Sequence, residues 1–413
     1  MPYPFTLPTT SPLRLPSHFD SPTHPSLPVH TSTLRSPLRS SLKTYKRLPP
    51  PNAPRISLHS LGRSKLITLP SLRLMRGTKR LELSSLEYEV FFTLATLSYL
   101  HTLLARTALH PLYTTTSPSP SPEVRTTLIT KATKHLLQSA QIHLYLTHRA
   151  DTLRTTSPVT PPALDISPPT LRALSELAHA EATLLAVLKD DPYPAALAQE
   201  RNENDKEWMI RAPSIPKVRA HLFARLCLAG AAHAETALSL LAGNEATEGK
   251  LLGKVGAGKV DEGLVRYVDD LRRVGRARAC RFLGIDRDSD GKTGEAIAWL
   301  RAGMGELGLS SSSDDGDGNG KKRSGLGLSR LKSSFSEKRE GKRVEKSGDW
   351  GADAGKAEEA RVLAALETKW VRENDTVNSQ LIPDAGGLLR EMPSGREIYT
   401  VKAWEPVVLG GGS

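Results

Sequence analysis

The sequence predicts an all-α protein, and three observations carry the prediction. Residues 84–106 (SSLEYEVFFTLATLSYLHTLLAR) repeat apolar side chains at helical spacing. Leu and Ala dominate the periodic segments, which favours helix over sheet. Pro- and Thr-rich linkers divide those segments into long units. Within 84–106, Ser84 and Glu87 stand in the S-x-x-E spacing of a capping box, so the helix start is written locally. Leu86, Val90, Leu94, Leu97, His101 and Leu104 form one row, and Phe91, Phe92, Ala95, Tyr99 and Leu103 a second. A helix apolar on most of its circumference is buried on several sides, so this one is expected at the centre of the domain. Its charge-free run from Val90 to Ala105 carries Thr, Ser and His and falls short of the roughly 18 to 20 apolar residues of a membrane span. No transmembrane segment is expected.

In chain order, residues 1–55 are rich in Pro, Ser and Thr, with one acid, Asp20, against several Arg and Lys. Prolines at 2, 4, 8, 12, 16, 22, 25 and 28 forbid the continuous amphipathic helix of a mitochondrial transit peptide. The segment reads instead as an extended arm lying on the domain, with a short helix near 32–47. Residues 56–83 carry little periodicity and support no assignment. After a linker at 114–122, helices are expected at about 123–150, 170–189, 215–242 and 261–285. Another begins near 293 and a last one spans about 357–373. Residues 308–356, built of Ser, Gly, Asp and Lys, are expected to be a disordered insertion, and the tail to 413 is irregular. No fixed-period repeat appears, so the whole of 1–413 reads as one bundle or superhelical stack.

Composition narrows the function classes. The chain has 413 residues, 38% apolar and 5% aromatic, and a net charge of +12, a balance that favours acidic partners. Cys227 and Cys280 lie in apolar helical patterns without a metal-ligand neighbour, as buried thiols of a reducing compartment do. Residues 253–260 nearly spell a Walker A loop, but Val260 replaces the Mg²⁺-ligating Ser or Thr and no strand precedes the glycines. Asp286, Asp288 and Asp290 open like an EF-hand loop whose twelfth position is Ile297 rather than Glu. His179-Ala-Glu181 and His233-Ala-Glu235 echo the H-x-E of zinc deaminases without the PCxxC half; both histidines are expected to hydrogen-bond between helices. No catalytic constellation, cofactor or metal site is expected. The informative charge feature is the run Arg266, Arg272, Arg273, Arg276, Arg278 and Arg281, interleaved with Leu264, Tyr267, Val268, Leu271 and Val274. One reading is a solvated face over a buried stripe. The other is a docking groove for an acidic amphipathic helix, with Leu271 and Val274 as anchors and Arg272, Arg273 and Arg276 pairing carboxylates. A basic nucleic-acid-binding protein is the competing class, although no aromatic stacking platform is evident.

Several stretches resemble a known family. PFTLPTT (4–10), the 84–106 helix, KTGEAIAWLRAG (292–303), NDTVNSQLIP (374–383) and PSGREIYTVKAWEP (393–406) resemble the fungal PalC proteins, members of the Bro-domain group that contains ALIX. The end motifs are the specific ones. Residues 294–300 resemble the GEEIARL-type segment of Bro domains, and Asn374-Asp375 with Ile382-Pro383 their late ND…VP signature. The resemblance implies a curved, banana-shaped helical domain with a tetratricopeptide-like core and no enzymatic activity. It implies a cytoplasmic adaptor of alkaline-pH signalling, recruited peripherally to the plasma membrane or to endosomal sites. Such an adaptor works beside a pH-sensor receptor complex, binds the acidic C-terminal helix of an ESCRT-III subunit, and is required for proteolytic activation of the transcription factor PacC. No nucleic-acid partner is implied.

Overall fold

A computed structural model describes residues 2–8, 14–17, 22, 25–47, 87–112, 120–156, 164–194, 196, 214–251, 260–309 and 351–406. Among these residues the protein is all-α, with no strand. The unassigned segment 56–83, the Walker-like glycines at 253–259 and most of the expected insertion lie outside them. The helices are α1 (Leu27–Arg47), α2 (Glu87–Leu109), α3 (Pro122–Thr156), α4 (Pro168–Asp190), α5 (Lys217–Leu251), α6 (Glu262–Ser289), α7 (Thr293–Glu306), α8 (Lys356–Glu373) and the short α9 (Ala385–Leu389). From α2 to α7 each helix packs chiefly on its neighbours in sequence, and α8 closes the series against α6 and α7. Local succession therefore builds the stack.

Small side chains set the spacing. At the α5–α6 contact, a Cβ added to Gly275 would stand 3.0 Å from the Ala231 Cβ and 3.1 Å from the Cys227 carbonyl oxygen, so only glycine lets the two backbones approach this closely. Between α2 and α3 small polar side chains meet within the contact: the Ser98 hydroxyl donates to the Ser139 carbonyl (3.0 Å) and lies 2.7 Å from the Ser139 hydroxyl. Helix α5 is long and apolar enough, over Lys217–Gly243, to cross a membrane by composition. Its Ala224, Cys227, Ala231 and Ala234 are nevertheless buried among its neighbours, as in a core helix.

The expectation for 84–106 needs correction. Phe91, Ala95, Tyr99 and Leu103 are buried, but Leu97 and Leu104 of the other row are 38% and 42% exposed. Among the described residues α2 lies at one end of the series and packs chiefly on α3. A more enclosed helix is α4, covered by α3 and α5, which buries even the polar Thr170, Thr183 and Glu181. Apolar circumference alone does not place a helix in the order of the stack.

A buried ion network fixes the far end. Arg281 is fully buried. Its guanidinium donates to Asp191 Oδ2 (2.6 Å) just beyond α4 and to Glu359 Oε1 (2.6 Å) on α8, and its Cζ lies 4.4 Å from the Phe282 ring centroid. Arg278 adds a 3.0 Å bond to Glu359 Oε2. Two guanidiniums thus meet two carboxylates, which compensates charges that burial alone would make prohibitive.

The termini cross the stack on different faces. Tyr3 and Phe5 are buried; the Tyr3 ring packs on Tyr267 of α6 (5.0 Å) and Phe5 on Tyr99 of α2 (4.9 Å). The C-terminal segment traverses α5 and α3. Arg396 N–H donates to the Arg225 carbonyl and Trp404 N–H to the Gln141 carbonyl, each at 3.0 Å. Residues 292–303 and 374–383 also meet. The Asn374 side chain bridges the Gln380 backbone in both directions (3.0 Å each), and the Gln380 side chain accepts from Gly294 N–H (3.0 Å). A Cβ on Gly294 would stand 2.3 Å from the Leu381 carbonyl oxygen, so that position requires glycine.

Glu359→Ala should cost about 3–5 kcal/mol of unfolding free energy, because it leaves the buried Arg278 without its carboxylate and Arg281 with Asp191 alone. Urea unfolding followed by far-UV circular dichroism measures it, and a loss below about 1 kcal/mol contradicts the role given to the network.

Candidate functional site: the arginine face of α6

Asp261 opens α6, its side chain accepting from Gly263 N–H (3.3 Å) as an N-cap. The helix then turns Leu264, Tyr267, Val268, Leu271 and Val274 into the core. Helical spacing leaves Arg266, Asp269, Arg273 and Arg276 along one outer stripe, at i, i+3, i+7 and i+10, with Arg272 beside it.

The two classes of candidate residue part company here. Leu271 and Val274 are 2% and 1% exposed and present no surface to a partner. They line a small cleft of about 30 Å³ together with Leu184, Leu185 and Leu188 of α4, and Pro2 at the N-terminus. Arg272, Arg273 and Arg276 keep 25%, 34% and 31% of their side chains exposed. Arg272 donates to Asp269 Oδ1 (2.8 Å), Arg273 to Asp269 Oδ2 (2.8 Å) and Arg276 to Glu306 Oε1 (2.9 Å). Burial would lift the Asp269 carboxyl, but the Arg272 hydrogen bond and the two guanidinium charges hold it below the usual carboxylate range. The Glu306 hydrogen bond raises Arg276 further above its ordinary value. Each guanidinium has five N–H donors, so these pairs leave capacity on Arg272 and Arg273 for a second carboxylate. Arg278 and Arg281 belong to the buried network instead, so a run read as one feature performs two tasks.

The other candidates fall into place. Asp286 and Asp288 are helical, because α6 continues to Ser289, and Asp290 pairs with Lys217 (2.5 Å) rather than closing a calcium loop. The H-x-E histidines meet: His179 and His233 stack across α4 and α5, centroids 3.9 Å apart. Glu181, two residues on and across the helix, faces the N-terminal residues, accepting at Oε1 from Tyr3 N–H (2.9 Å) and Tyr267 O–H (2.7 Å). The Glu181 contact was not legible in the sequence, where only its place in H-x-E marked it.

No family model matches the chain. A curated protein, "pH-response regulator protein palC" of Emericella nidulans, is 42% identical over an alignment covering 96% of this chain and 88% of that protein. Among solved structures, a Bro1 domain described under "Structure basis for endosomal targeting by the Bro1 domain" covers 98% of this chain and 93% of its own at 13% identity, with a TM-score of 0.46.

Leu271→Asp is expected to lower stability by several kcal/mol, since it places a charge in the α4–α6 cleft; thermal unfolding would show it, and a native-like midpoint removes Leu271 from the core. Glu181 gives a pH signature. Burial raises its carboxyl from 4.5 to about 7, against the lowering hydrogen bond from Tyr267. The unfolded chain therefore releases this proton first, and stability falls as pH rises from about 4.5 to about 7, then levels off. Glu181→Gln should flatten that fall and leave the variant relatively more stable at pH 8 than at pH 5. The opposite ranking in denaturant melts refutes the assignment.

Proposed function

The chain belongs to the palC family of pH-response regulators, and on that premise we propose that it is a non-catalytic adaptor of alkaline-pH signalling. In this reading it holds the acidic C-terminal helix of an ESCRT-III subunit, beside a pH-sensor receptor complex, so that the transcription factor PacC is activated by proteolysis. It works in the cytoplasm and is recruited peripherally to the plasma membrane or to endosomal sites. The observation that carries the reading is the 42% identity running through nearly the whole chain, rather than through one motif. The likeness of residues 294–300 and 374–383 to Bro-domain signatures supports the ESCRT-III half of it. The same reading takes 1–413 as one helical domain, with 1–55 as an arm laid on it and 308–356 as an insertion.

The partner-facing residues in this proposal are Arg272, Arg273 and Arg276, whose half-exposed guanidiniums complement an acidic helix. Leu271 and Val274 act from beneath, setting the position of that stripe.

Binding of a synthetic acidic ESCRT-III C-terminal helix tests the proposal by fluorescence anisotropy. The expected affinity is micromolar, about −8 kcal/mol, and it should exceed that for a scrambled peptide. Arg272→Glu combined with Arg273→Glu should weaken it tenfold or more, chiefly through like-charge repulsion. Equal binding of the scrambled peptide sinks the adaptor mechanism; unchanged affinity in the double variant clears α6 of the role.

A further inference from the structure

The stacked histidines belong to a cluster that the partner-binding reading does not use. His233 sits between two carboxylates: its Nδ1 lies 2.7 Å from Glu176 Oε2 and its Nε2 lies 3.0 Å from Glu397 Oε2. His179 Nε2 is buried, makes no hydrogen bond, and has Glu397 Oε2 at 3.9 Å. One donor atom from each of Glu176, His179 and His233 falls within 4.8 Å of the others. We propose that Glu176, His179, His233 and Glu397 form a binding site for a zinc-class divalent cation that clips the C-terminal segment onto α4 and α5.

The donor chemistry fits such an ion. Two imidazoles and a carboxylate are the nitrogen and oxygen donors that zinc-class cations take, leaving a fourth position for water, and the second carboxylate, held on the other ring nitrogen of His233, brings the local charge of the site to that of a divalent cation. Bonds of about 2.0–2.2 Å place neighbouring donors of a tetrahedral site about 3.3 Å apart. The separations at Glu397, 3.0 and 3.9 Å, bracket that value. Whichever ring nitrogen of His233 takes the cation, the other stays on a carboxylate, the support that orients and enriches metal-bound histidines elsewhere. The His179 nitrogen is the second and independent sign. His179 is only 9% exposed, yet that atom lacks a partner, which in a buried polar group calls for a ligand. Burial, reinforced by His233, holds His179 below the usual histidine pKa, so it offers a lone pair at neutral pH. Burial pulls His233 down too, but its hydrogen bonds to Glu176 and Glu397 prevail and raise it; a cation would replace that proton. Glu397, 57% exposed, leaves a way in from solvent.

The untagged full-length protein, freed of metal with a chelator, is titrated with Zn²⁺ by calorimetry, with Mg²⁺ as the hard-cation comparison. One Zn²⁺ per chain is expected, with a Kd in the micromolar range or tighter, and no comparable Mg²⁺ binding. Glu397→Gln, at an exposed position that leaves the core intact, should weaken Zn²⁺ binding tenfold or more, and His179→Ala should do the same. Zn²⁺ should also slow proteolytic removal of the segment after Met392 in the native protein and not in the Glu397→Gln variant. Absence of stoichiometric Zn²⁺ binding overturns the site. So does undiminished binding in Glu397→Gln, or loss of it in a His101→Ala, His135→Ala variant, which would place the ion at the separate histidine pair of α2 and α3.

Discussion

A fully buried arginine governs this structure. Arg281 is shut off from bulk solvent, so its charge is tolerable only where carboxylates meet it from both sides. Asp191 comes from the end of α4 and Glu359 from the first turn of α8, so one side chain joins three helices that are distant in sequence. Apolar contacts carry no preferred direction; bidentate charge-assisted hydrogen bonds do. The network therefore sets the axial position of α8 on α6, and with it the tail that follows.

That constraint divides the arginine run of α6. A period of 3.6 residues sends Arg278 and Arg281 inward, while Arg273 and Arg276 remain on the outer stripe. The inward pair holds the domain together, and the outer group, with Arg272, carries the net positive surface that an acidic partner would meet. Loss of function at one class and at the other would have different physical origins, although the residues are interleaved in the chain.

The two ends behave as straps. Residues 2–5 lie against Glu181, Tyr267 and Tyr99, and residues 394–404 lie across α5 and α3. On α4, His179 and Glu181 are two residues apart and face different sides, which is why one serves the C-terminal strap and the other the N-terminal one. Both straps fall in stretches that carry the family resemblance, residues 4–8 and 393–406. Backbone bonds from Arg396 and Trp404, and a glycine at 395 whose added Cβ would stand 2.8 Å from the Ala229 nitrogen, leave little freedom of composition.

The sequence by itself determined the all-α class, most helix positions and the family, because these rest on local periodicity, linker composition and short motifs. It located α6 and its arginines, and α8 to within a residue. Tertiary structure alone decided which arginines are buried, that Leu271 and Val274 face α4, that α2 sits at an end of the described stack rather than its middle, and that two histidines on successive helices stack on each other. The physical reason is the same in each case. Periodicity states that a face is apolar or charged, but what that face meets depends on which helix, and which terminal segment, the whole chain brings against it.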